Sequence, residues 1–108
     1  MPLTHSFNDT VRERAARDPA FRAALFSEAM TALLAGDPDT TKLALRAYIN
    51  ATIGFAALAK ATGTPPKSLM RMFGASGNPT AANLFSVIGV LQKKTGVHLE
   101  VRAVASAA

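Results

Sequence analysis

A chain of 108 residues, 49% hydrophobic and 18% charged, is long enough for one modest core, too short for two, and too apolar for a disordered polymer. It has no cysteine, which excludes disulfides and thiolate metal sites and fits a reducing compartment. The formal net charge of +5 is unevenly placed: residues 1–39 hold six acids against four arginines, whereas the stretch between Asp39 and Glu100 holds no acid and seven cations (Lys42, Arg46, Lys60, Lys67, Arg71, Lys93 and Lys94). Such a stretch attracts a polyanion with regularly spaced phosphates.

The first ten residues, M-P-L-T-H-S-F-N-D-T, lack the basic segment and apolar run of a secretion signal. The longest apolar run, Leu84 to Leu91, is too short to span a bilayer. The expectation is a soluble cytoplasmic protein without membrane contact. A short helix is predicted around Asn8 to Ala16. Four dipeptides then mark helix starts: Asp18-Pro19, Asp37-Pro38, Thr64-Pro65 and Asn78-Pro79. In each, a capping side chain precedes a proline, which has no N–H to leave unsatisfied in a first turn. Gly36, Gly63, Gly77 and Gly96 stand where helices should stop, because glycine accepts the left-handed conformation of a C-terminal cap. The resulting helices run over 19–35, 38–53, 55–62, 65–74 and 79–94, the last with Leu84, Phe85, Ile88 and Leu91 on one face. Tyr48, among Leu45, Ile49 and Ala51, is expected in the core with its hydroxyl at the rim.

From Val97 to Ala103 apolar residues alternate with His98, Glu100 and Arg102, the period of a short C-terminal strand. A lone strand is unstable, so it must pair with another chain or lie on the helices. The fold class is therefore all-α, a single domain of five to six helices with a strand at 97–103.

Residues 55–73 carry a helix–turn–helix pattern. Ala59 is small enough for close helix approach, Gly63 makes the turn, and Leu58 lies inward. On the second helix Leu69, Met72 and Phe73 share one side at 100° per residue, while Lys67 and Arg71 fall on nearly the opposite side, flanked by Ser68 and Met70. In DNA-binding motifs of this kind the second helix presents its outer face to the major groove. Arg71 has the fork for guanine O6 and N7, Lys67 and Ser68 suit a base or a phosphate, and Met70 suits a thymine methyl. The plain alternative is a solvated helix face. After this helix, Gly77, Asn78 and Thr80 offer backbone amides and short polar side chains at a helix start, read either as a phosphate clamp or as a simple cap from Asn78.

Thr62-Gly63, Ser68-Leu69, Arg71 and Gly77-Asn78-Pro79-Thr80 together resemble the motif of the addiction-module antidote proteins, the HigA-like antitoxins of the lambda-repressor-like helix–turn–helix class. Upstream, Phe26, Glu28, Ala29 and Gly36-Asp37-Pro38, and downstream, Leu84, Val87, Ile88 and the segment from Gly96 to Val101, extend the resemblance over about residues 20–101. The resemblance implies a lambda-repressor-like domain, a homodimer on an operator in duplex DNA that represses its own promoter, and the antitoxin half of a type II pair. It further implies a small basic RelE- or HigB-like ribonuclease toxin as partner. The chain departs from the pattern at Pro65-Pro66, where family members usually carry Ser and a charged or polar residue, so two groove-facing side chains are lost.

Other chemistries find little footing. His5 and His98 are far apart with no carboxylate cluster at ligand spacing, so no metal site is expected. No nucleophile sits in an elbow-like context, and no dinucleotide fingerprint or P-loop occurs, so neither an enzyme nor a cofactor is expected. The rival reading is a protein-interaction module that kept the helical scaffold and lost specific DNA contact, favoured by Pro65-Pro66.

Overall fold

The computed structural model describes residues 6–107. It contains six helices: α1 (Phe7–Arg17), α2 (Pro19–Leu34), α3 (Pro38–Ala51), α4 (Gly54–Thr62), α5 (Pro66–Met72) and α6 (Ala81–Thr95). Two of the Xaa-Pro starts act as read. The Asp18 carboxylate accepts the Phe21 amide at 3.2 Å and the Asp37 carboxylate accepts that of Thr40 at 3.1 Å, each with proline opening the helix behind it. Asp18 also closes α1, its amide donating to Arg14 O at 2.9 Å, so one residue ends one helix and begins the next.

The other two starts are shifted. Thr64 does not cap α5: Pro65 occupies the cap position, which has no side-chain hydrogen bond, and the helix opens at Pro66. Asn78 does not cap α6. That role falls to Thr80, whose hydroxyl accepts the Asn83 amide at 3.2 Å. Gly77 accounts for the shift of α6. A Cβ there would collide with the carbonyls of Arg71 and Met72, so the chain lies flush against the end of α5 and needs two further residues before it can turn into a new helix. Gly77 thus serves close approach rather than a left-handed stop. Gly63 and Gly96 do adopt the left-handed conformation, at φ 74° and 68°.

α2 and α3 form the most extensive helix pair, and their faces meet α4, α5 and α6 in one core. Phe26 stacks on Tyr48 with ring centroids 4.5 Å apart, and Leu45, Ile49, Leu58, Leu69, Phe73, Val87 and Leu91 are fully buried around them. Each such side chain contributes about 1.5–3 kcal/mol of transfer free energy. The Tyr48 hydroxyl is not at the rim. It donates to Thr95 Oγ1 at 2.7 Å inside the core, and the Thr95 hydroxyl donates in turn to Leu91 O at 2.6 Å. A phenol this deep must find a partner, and the last turn of α6 supplies it.

No strand forms among the described residues. The segment beginning at Val97 runs on from α6 without helical or strand pairing, and its alternation is realised only at the start. Val97 is buried, Leu99 packs against the core with its amide donating to Gln92 Oε1 at 3.0 Å, and Val101 and Val104 are exposed. One chain by itself offers the backbone groups of this segment no neighbouring strand.

Candidate nucleic-acid interface

α4 and α5 are joined by three residues, Gly63 to Pro65. Gly63 turns the chain, its amide returning to Ala59 O at 2.9 Å. Leu58 and Ala59 of α4 are buried in the same core cluster as Leu69 of α5. α5 has only seven residues and little helical stability of its own. Leu69 and the following Phe73, each 1% exposed, anchor it in the core.

That anchoring turns the opposite side outward. Lys67 and Arg71 are exposed, Met70 is half exposed, and Ser68 is partly covered. Lys60 on α4 is also exposed. Neither Lys67 nor Arg71 forms an ion pair among the described residues. The outward side of α5 therefore combines one guanidinium and one ammonium group with the half-exposed Met70, and the exposed Pro65 and Pro66 open the same helix.

The seven cations of the acid-free stretch do not gather there. Arg46 lines an open groove of about 790 Å³ between α1, α2 and α3, and Lys94 lines another opening beside the end of α1. Lys93 and Lys94 stand in the last turn of α6. Lys42 is turned inward, its side chain 11% exposed. The charge seen in sequence as one field is distributed over several surfaces.

The residues after α5 are also put to local use. The Gly77 amide donates to Gly74 O at 3.0 Å, so it is not free to hold a phosphate. The Thr80 hydroxyl is the α6 cap acceptor. Asn78 is exposed and lines a crevice of about 440 Å³ with Phe73, Pro79 and Leu84. Lys67, Ser68, Met70 and Arg71 thus share one short helix, while Gly77, Asn78 and Thr80 lie along the connection that leaves it.

Sequence reading missed two cations that build the scaffold. Lys42 donates to Ala75 O and Gly77 O, and Arg22 donates to Ala15 O and Thr95 O. Neither has a local signature, because their partners are remote in sequence. His5 lies outside the described residues; His98 is exposed and 3.9 Å from Glu100. Among the described residues no group of three or more metal-ligating side chains forms, and no helix is long and apolar enough to cross a membrane. In comparison with known proteins, the chain matches no family model, no curated protein and no solved structure at a significant level.

Proposed function

We propose that this chain is a sequence-specific duplex-DNA-binding regulator that uses the outer face of α5. The observation that carries the reading is the division of α5 into a core side, Leu69 and Phe73, and an outward side bearing Lys67 and Arg71, in a stretch free of acidic residues. Arg71 reads a guanine edge, Lys67 and Ser68 take a base or phosphate, Met70 meets a thymine methyl, and Asn78 adds a backbone contact. Replacing Arg71 by Ala is expected to cost about 1–3 kcal/mol of affinity for the upstream region of its own gene and to relax preference at one base position. Affinity left unchanged by both Arg71→Ala and Lys67→Ala would overturn the assignment.

The finer reading is the antitoxin of a type II pair in a lambda-repressor-like fold, supported by the resemblance of Thr62-Gly63, Ser68-Leu69, Arg71 and Gly77-Asn78-Pro79-Thr80. An adjacent reading frame for a small basic RelE-like protein, and its capture by this chain on co-expression, is the expected outcome. The active form is a homodimer in which the segments from Val97 to Ala103 pair as strands and two α5 helices meet successive major grooves, about 34 Å apart. The exposed Val101 is what such pairing would cover. Because Val97 and Leu99 belong to the core, deletion after Glu100 is the appropriate test. It should leave the helices intact while weakening self-association and operator binding.

A second reading, a protein-interaction module, is favoured by the exposed Pro65, Pro66 and half-exposed Met70 on the same face. Salt separates the two. DNA binding weakens steeply with salt through counterion release, whereas binding carried by the apolar residues does not.

A further inference from the structure

Lys42 is largely covered and directed at the connection that leaves α5, beside the crevice that Asn78 lines, rather than outward with Lys67 and Arg71. From α3 its Nζ donates to Ala75 O at 3.1 Å and to Gly77 O at 2.7 Å, with Asp39 Oδ1 3.7 Å away. Both acceptors belong to the connection between α5 and α6. Gly77 lies so close to the carbonyls of Arg71 and Met72 that a Cβ there would collide with them, so the connection that the ammonium holds also lies against the last turn of the helix. Two further bonds fix its path: the Gly74 amide donates to Arg71 O at 3.2 Å and the Gly77 amide to Gly74 O at 3.0 Å. A cation at the C-terminal end of a helix also meets the negative end of its dipole.

Arg71 stands in that last turn. α5 is too short to hold its own course, so the place of the Arg71 guanidinium depends on Phe73 in the core and on the clamped connection beyond it. We propose that Lys42 is a positioning residue for the outward face of α5, setting where Arg71 sits while making no contact with the bound polyanion. The effect on binding rests on the reading of that face as DNA-binding; the clamp itself does not.

The test uses the full chain carrying Lys42→Met, which keeps the aliphatic stem and removes the donors, beside Lys67→Ala. Amide exchange is followed without DNA, and affinity for the upstream duplex is titrated across a salt series at a temperature where circular dichroism shows full helix. For Lys42→Met, exchange at Gly74 and Gly77 is expected to rise about tenfold with α2 and α3 unchanged, and affinity to fall about tenfold, the lower end for two charge-assisted hydrogen bonds of which one is exposed to solvent. Its salt slope should remain that of the wild type, whereas Lys67→Ala should lower the slope by about one. A lowered slope for Lys42→Met would make Lys42 a phosphate contact and overturn the proposal. Unchanged exchange at Gly74 and Gly77, or unchanged affinity where the wild type binds, would overturn it too. If the wild type binds no duplex, the DNA reading fails alone and the exchange measurement still decides the clamp. Should Lys42→Met not fold, Lys42→Gln, which keeps a neutral amide donor on a shorter stem, is read the same way, with a smaller change of about threefold expected.

Discussion

Arg22 and Lys42 both bring a cation to backbone carbonyls, yet they hold different things. The Arg22 guanidinium donates to Ala15 O at 2.7 Å and to Thr95 O at 3.0 Å, joining the C-terminal ends of α1 and α6 from α2. Thr95 is also the partner of Tyr48, which stacks on Phe26, so four helices converge on one polar knot beside the core. Lys42 reaches only a connection, and the carbonyls it holds border solvent. A planar fork with fixed donors cross-links rigid elements, whereas an ammonium on a flexible stem tethers a loop. The same chemistry thus fixes the fold at one corner and aims a surface at the other.

Arg22→Met tests the first corner and carries the largest expected effect. It should lower global stability by about 3 kcal/mol in urea unfolding, from two charge-assisted, partly buried hydrogen bonds lost at the helix ends. A loss as small as that of an ordinary surface substitution, within about 0.5 kcal/mol, would erase the distinction between the corners.

The start of α6 gives a smaller contrast beside the second corner. Thr80→Ala should cost about 1 kcal/mol through the lost cap, and Asn78→Ala should stay within about 0.5 kcal/mol. Equal costs would return the helix start to Asn78-Pro79 and weaken the account of Gly77.

Two titrations sharpen the comparison further. Hydrogen bonds from Thr40, first its side chain and then its amide, hold the Asp37 carboxyl below the usual 3.8. This contribution to stability is present above pH 3.8 and fades as pH falls through the lower folded value, so Asp37→Asn should flatten part of the acid limb of a melting profile. Burial pushes the Tyr48 phenol above 10, with Thr95 and Arg22 opposing. Its contribution is whole below pH 10 and is lost as pH rises through the folded value, and Tyr48→Phe should remove that alkaline limb. An unchanged alkaline limb would place the phenol in water and undo the polar knot.

The all-α class was legible because helix ends are written locally. Asp18 and Asp37 cap amides three residues away, and Gly63 and Gly96 close helices with bonds four residues back. The two faces of α5 were legible for the same reason, since a 100° step separates Leu69 and Phe73 from Lys67 and Arg71 whatever surrounds them. The strand expected at 97–103 is a different case. Alternation specifies a surface to be covered, and the helices of this chain cover only its first part, Val97 and Leu99, while Val101 stays exposed.

By itself, then, the sequence determined the helices bounded by Asp18-Pro19, Asp37-Pro38, Gly63 and Gly96, and the inner and outer sides of α5. Only the tertiary structure decided which cations remain free, why Gly77 must be glycine, and where α6 begins. The physical reason is reach: caps and helix faces are settled within about one turn of chain. Lys42 meets carbonyls 33 and 35 residues away and Arg22 one 73 residues away, contacts that exist only once the helices have packed.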